Sequence, residues 1–123
     1  MRIEEVRVYS KNVPGAEGTY RMSSSGVKQL DSTIVELVSG DGVSGWGETC
    51  PIGLVYQPHH TLGARAALAE IAPKLIGIEI ASMHGLWKRM DESLNGHGYA
   101  KAAIDIAAFD LLGKKLGVPV STL

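Results

Sequence analysis

Two short segments gather side chains able to touch a small charged molecule. Gly18-Thr-Tyr-Arg-Met-Ser-Ser-Ser25 offers a ring at Tyr20, a guanidinium at Arg21 and a hydroxyl at Ser24. Pro51-Ile-Gly-Leu-Val-Tyr-Gln-Pro-His-His60 offers the ring of Tyr56 and the imidazole of His59. An aromatic face attracts a cationic nitrogen by about 0.5–2 kcal/mol, depending on how dry the contact is. Glycine-rich and hydroxyl-rich stretches of this kind suit segments that open and close. The plainer alternative is a surface loop without a ligand, and for Tyr56 a ring that packs its loop onto the sheet.

Other candidate ligands are weaker. His59 and His60 are adjacent, poorly placed to share one metal ion, and no acidic residue stands near them. His84 and His97 fall near helix starts and read as structural or surface residues. Asp105 and Asp110 invite a metal reading, but five helical residues turn them roughly 140° apart. Cys50 is the only cysteine, which excludes an intrachain disulfide and points to a reducing cytoplasm. It reads as a buried, inert thiol.

The elements that must hold these residues follow from pattern. Ile3 to Tyr9 carries Val6 and Val8 around charged Arg7, as a half-buried strand does. Ser32 to Val38 is rich in β-branched residues and forms a second strand. Ser39-Gly-Asp-Gly42 is a turn, and Val43 to Cys50 returns as a third, antiparallel strand. Pro14 to about Gly26 and Pro51 to about His60 read as loops. From Thr61 to Ala72, Leu62, Ala66, Ala69 and Ala72 recur at helical spacing, and Pro73 ends or restarts that helix. Ser82 N-caps a second helix with Leu86, Trp87, Met90 and Leu94 on one face. Asn95-Gly-His-Gly98 breaks it. A third helix puts Ala102, Ala103, Ile106, Ala107, Asp110 and Gly113 on a broad small-residue face. It sets Lys101–Asp105 and Asp110–Lys114 at i,i+4, and Gly117-Val-Pro119 stops it. Three strands followed by three helices is an α+β order. Trp46, between two glycines, reads as core or inter-domain packing, and Lys114-Lys115 as a solvated helix end favoured by the dipole.

Bulk composition narrows the field. Apolar residues make up 45%, charged residues 20%, and the net charge is −1. Basic residues neither dominate nor cluster, which excludes a nucleic-acid or membrane-surface partner. Apolar runs last only a few residues, so no membrane-spanning segment is expected. Met1-Arg-Ile-Glu-Glu lacks the apolar core of a secretory signal. The chain has 123 residues, whereas a (β/α)8 barrel needs about 250.

The joint pattern Ala-Ile-Asp-x-Ala-x-x-Asp-x-x-Gly-Lys from Ala103 to Lys114, then Pro119-Val and Leu123, resembles a signature of the mandelate racemase/muconate lactonizing branch of the enolase superfamily. Gly45-Trp-Gly-Glu48 is similar to the Gly-x-Gly-Glu that ends the third strand of its N-terminal capping domains. That resemblance implies a capping domain across residues 1–123 with the catalytic barrel absent from this chain, and a C-terminal run that leads into a following domain. In such enzymes the barrel holds Mg²⁺ on three acidic ligands, and lysines or other bases take the proton α to a carboxylate. It assigns no catalytic residue and no metal ligand to this chain.

The resemblance also makes the two loops, 15–26 and 50–60, lids over the barrel mouth. Tyr56, Tyr20, Arg21, Ser24 and His59 are then the candidate substrate contacts. The Cys-Pro-x-Gly-x-x-Tyr run from Cys50 to Tyr56 looks like members acting on proline-type amino acids and betaines. An epimerase for such a small carboxylate substrate is the preferred reading. N-acylamino-acid racemase, dipeptide epimerase, cycloisomerase and sugar-acid dehydratase are alternatives, and a free-standing binding or assembly module is the alternative of another class. The expected partners are the chain's own missing barrel and further copies of the full protein. The isolated chain is expected to be inactive and to self-associate.

Overall fold

A computed structural model describes residues 1–123 other than Ser24. In chain order the elements are β1 (Ile3–Pro14), β2 (Tyr20–Arg21), β3 (Gly26–Val27), β4 (Gln29–Ser39), β5 (Ser44–Thr49), α1 (Thr61–Ile71), α2 (Met83–Ser93) and α3 (Gly98–Leu116). The main sheet is antiparallel in the order β1-β4-β5. Three helices lie on one face of it, so the α+β capping-domain architecture expected from the sequence is the one observed.

Strand lengths set the shape that matters for function. β4 pairs with β5 only as far as Thr33↔Thr49, whereas its pairing with β1 continues to Pro14↔Gln29. The β1–β4 pair therefore runs past the end of β5 as a two-stranded ribbon with the 15–28 segment at its tip. The sequence reading ended strand one at Tyr9 and began strand two at Ser32. Ser10, Lys11 and Asn12 are exposed and show no alternation that would reveal a strand.

The core explains the two motifs together. Val35 and Leu37 of β4 pack with Ala103, Ile104, Ala107, Ala108 and Leu111 of α3, and with Leu68, Ile71, Leu86 and Met90 from α1 and α2. α3 lies against β5 at Gly45 and Gly47. A Cβ at Gly45 would sit 2.1 Å from the Ala107 carbonyl oxygen, and one at Gly47 would sit 2.0 Å from that of Ala103. The Gly-x-Gly of the strand and the small residues of the helix are two sides of one backbone-to-backbone contact.

Four side-chain expectations are corrected. α1 buries Ala64, Ala67, Leu68 and Ile71, and of the expected Leu62-Ala66-Ala69-Ala72 stripe only Ala72 is buried, because the face carrying Leu68 and Ile71 offers more apolar surface to the sheet. On α3, Ala102 and Ile106 lie on the exposed side while Ala103, Ile104 and Ala107 are buried. Lys101 bonds Asp91 on α2 at 2.6 Å instead of Asp105, whose carboxylate accepts the Trp87 indole N–H. Trp46 is outside the core: it lies on the open sheet face, half exposed, with its ring 6.0 Å from that of Tyr9.

The β4–β5 turn carries an acid-sensitive contact. Asp41 accepts from Lys115 of α3 and from the Ser39 hydroxyl, both at 2.5 Å. The Lys115 bond, then the Ser39 bond, hold its carboxyl at about 2, below the usual 3.8. A folded-state value below the unfolded one adds stability above about pH 4, and that contribution is lost as the pH falls towards about 2. Asp41→Asn is therefore expected to be less stable than the parent near neutrality and to converge with it in acid. Urea midpoints measured across this window check it. A gap that stays constant would rule out a charge contribution from the Lys115 pair.

Candidate functional site

The two loops meet beside the ribbon. Within the first, Tyr20 pairs with Val27 and Arg21 with Gly26, a two-residue ladder too short to leave a periodic trace in the sequence. The Met22 N–H donates to the Ser25 carbonyl at 2.7 Å to close its tip. The second loop leaves β5 at Cys50 and enters α1 through His60. Its Gly53 takes φ +66°, and a Cβ there would touch Val27 of the first loop at 3.8 Å.

Between the loops lies a cleft of about 350 Å³ lined by Gly15, Tyr20, Val27, Lys28, Gln29, Leu30 and Ile52. A second hollow of about 330 Å³ shares the Val27, Gln29 and Leu30 wall and continues along Asp31, Pro51, Gly53, Leu54, His60, Thr61 and Leu62. The walls are mainly apolar. Asp31, the one carboxylate among these lining residues, is bonded to the Arg65 guanidinium.

The five candidate residues separate by place. Tyr20 is on the cleft wall. Arg21 borders a different, shallow hollow with Thr19, Met22, Ser25 and Lys28. Tyr56 stands at the tip of the second loop with Leu54 and Val55, and 65% of its surface is exposed. His59 stacks on Tyr99 of α3, with ring centroids 4.1 Å apart. Ser24 lies outside the described residues. Ile52, Gln29 and Leu30 line the cleft and went unnoticed from sequence. The signal available was their position, Ile52 within the second loop and Gln29 and Leu30 just after the first.

Neighbouring polar groups have structural work. His60 is the N-cap of α1, its Nδ1 accepting from the Gly63 N–H at 3.2 Å. Cys50 is partly exposed instead of buried, and desolvation, then the charge of Glu48, push its thiol up, so it is a poor nucleophile at neutral pH. Glu36, 4% exposed on the open sheet face, accepts from Ser44, Tyr9 and Arg7. Its carboxyl is lowered, first by the Ser44 bond. Asp110 accepts from the Trp46 backbone N–H at 2.8 Å and from Lys114 at 2.6 Å. Lys114 also donates to the Ser44 carbonyl, so this helix end is tied to the sheet.

No cluster of three His, Cys, Asp or Glu side chains suitable for a metal ion occurs among the described residues. Asp105 and Asp110 are committed to Trp87 and to Trp46 with Lys114. The described residues therefore do not fit a Mg²⁺ site. No described helix is long and apolar enough to cross a membrane.

A three-stranded sheet backed by three helices, with two loops gathered at one end, is the N-terminal domain architecture of the enolase superfamily. Residues 3–123 match the mandelate racemase/muconate lactonizing enzyme N-terminal domain, and the chain belongs to that family. It is 44% identical to a cis-3-hydroxy-L-proline dehydratase of Roseibium aggregatum, over 100% of this chain and 34% of that protein. It superposes with TM-score 0.92 on a mandelate racemase/muconate lactonizing enzyme of Roseovarius nubinhibens ISM, at 32% identity, covering 98% of this chain and 33% of that one. A dipeptide epimerase of Enterococcus faecalis V583, solved with Mg and the dipeptide L-Leu-L-Tyr, gives TM-score 0.88 at 28% identity, covering 99% and 34%. The chain spans about a third of the length of these relatives, and no barrel is contained in it.

Proposed function

We propose that this chain is the capping and substrate-selecting domain of an enzyme that removes the proton α to a carboxylate and epimerises a proline-type amino acid or betaine. The observation that carries the substrate class is the chemistry of the inter-loop cleft. Its walls are mainly apolar, with Tyr20 on one of them beside Lys28 and Gln29; it has no carboxylate of its own, and Asp31 in the adjoining hollow is already paired with Arg65. A quaternary nitrogen has no N–H to donate, so an aromatic face and apolar contact with its methyl groups can hold it without hydrogen bonds. Tyr56 supplies a second ring at the loop tip. Mg²⁺ belongs to this proposal as a cofactor of the rest of the protein, as do the catalytic bases, since the described residues offer no site for it. Tyr20, Tyr56 and, at its edge, Arg21 are assigned to the substrate's non-reacting end.

A second reading is favoured by the 44% identity to a cis-3-hydroxy-L-proline dehydratase. Elimination of water from a hydroxyproline begins with loss of the same α-proton and ends with departure of the 3-hydroxyl group. A proline-sized pocket serves either outcome. Assay of the full-length protein with proline betaine and with cis-3-hydroxy-L-proline distinguishes them: inversion at Cα with no loss of water supports the first reading, and a dehydrated product the second.

Two predictions test the role of the cap. Tyr56→Leu in the full-length protein is expected to lower kcat/KM for a betaine roughly two- to thirtyfold, the range of a ring–cation contact. It should leave an analogue with a neutral nitrogen almost unaffected, and equal losses on both would sink the cation assignment. The 123-residue chain alone is expected to show no turnover of either compound in the presence of Mg²⁺.

A further inference from the structure

Both loops are anchored at one point. Arg65, one turn into α1, bonds the Asp31 carboxylate through both terminal nitrogens, the Thr33 hydroxyl through Nε at 3.1 Å, and the Ser32 carbonyl at 3.2 Å. Beside it, the Thr61 hydroxyl donates to the Asp31 carbonyl at 3.0 Å. Asp31 lies in the ribbon, two residues beyond the last β4–β5 pair at Thr33. Past that pair the ribbon has no sheet neighbour on the β5 side. Thr61 is the first residue of α1, where the second loop ends.

We infer that Arg65 is a positioning residue for both lids, with the Arg65–Asp31 pair as the latch. The fork fixes how far the ribbon tilts from α1, and with it where Tyr20 and Val27 stand relative to Ile52 and Gly53. A small rotation at Asp31 is magnified along the ribbon to its tip, so one contact at the base sets the width of the cleft. Lysine does not replace the planar fork, because its donors diverge from a single nitrogen and cannot grip the carboxylate through two separate nitrogens while a third reaches Thr33. This deepens the substrate-selecting role proposed above and rests on it for its functional meaning, but the latch itself is testable without any substrate.

The test is hydrogen–deuterium exchange by mass spectrometry on the full-length protein, comparing the parent with Arg65→Met and Asp31→Asn. Asp31→Asn retains the Arg65 bonds to Thr33 and Ser32, so it covers the possibility that Arg65→Met does not fold. The expected result is a rise of roughly tenfold or more in exchange of residues 15–30 and 50–60 together, as follows from losing a charge-assisted bond. Exchange in α3 and β5 should not change. A rise in one loop alone, a uniform rise including α3, or no change would each overturn the latch. Substrate readings separate the two proposals. If exchange rises as expected but KM for every α-proton substrate is unmoved, the latch stands and the lid reading of the loops fails.

Discussion

Gly47→Val is expected to destabilise the domain by more than about 3 kcal/mol, a large part of the 5–15 kcal/mol that holds an ordinary domain together. Strand propensity alone predicts the opposite sign, since valine is favoured over glycine in strands by up to about 1 kcal/mol. The contact decides between them. A Cβ at position 47 would lie 2.0 Å from the Ala103 carbonyl oxygen and 2.7 Å from the Ala107 nitrogen. Both are backbone atoms of α3 and have no rotamer by which to move aside. The helix must lift off β5, and that separates Ile104 and Leu111 from Val35 and Leu37 across the whole core. Gly47→Ala already introduces the offending carbon and should show most of the loss. Gly42→Ala is the control: nothing lies within 4 Å, and only its φ of +82° is strained, costing about 1–2 kcal/mol. Urea unfolding followed by far-ultraviolet circular dichroism ranks the three. If Gly47→Val were as stable as the parent, α3 would not sit against β5 as described.

That contact also shows how far a sequence can be read. The Gly45-x-Gly47 strand and the Ala103–Ala107 helix segment were each visible as small-residue motifs, and each implied a close neighbour. Nothing in either says that they face one another; that information lies in the tertiary arrangement. The same limit explains α1. With Leu62, Ala64, Ala66, Ala67, Leu68, Ala69 and Ile71 spread around it, the helix is apolar on several sides, and periodicity selects a face poorly when more than one is available. The i,i+4 rule found Asp110–Lys114, where both side chains are on the α3 surface, and missed Lys101–Asp91, because Lys101 is buried against α2. At the candidate site, the existence of the two connecting segments was legible from turn-forming residues, while the short β2–β3 ladder inside the first was not. Ile52 and Leu30 were not, since an aliphatic residue lining a cleft has the same local pattern as one lining a core, and Gln29 reads as any exposed polar residue at a strand start. Arg65 escaped for a related reason: its partners, Asp31 to Thr33, are more than thirty residues away.

Asp110→Ala is expected to lower stability by about 2 kcal/mol, the lower part of the range for a hydrogen bond to a charged group. The discount reflects the partial exposure of its ion pair with Lys114. β5 is an edge strand, and the Trp46 N–H that donates to Asp110 has no strand beside it. The carboxylate therefore does for β5 what another strand would do, satisfying a donor at the sheet edge while α3 covers the face. Removing it also frees Lys114, which bridges Asp110 and the Ser44 carbonyl. Asp110→Asn keeps an oxygen in place and loses only the charge, so a smaller loss, below about 1 kcal/mol, is expected. Thermal unfolding with and without millimolar Mg²⁺ turns the same variants into a test of the metal reading. A structural Asp110 predicts that Mg²⁺ shifts neither the parent chain nor the variants. A Mg²⁺-dependent rise in Tm that disappears in Asp110→Ala would make this carboxylate a ligand. The geometry argues against that outcome, because both oxygen donors of such a pair, Asp105 and Asp110, already hold indole, amide or ammonium hydrogens that a cation would have to displace.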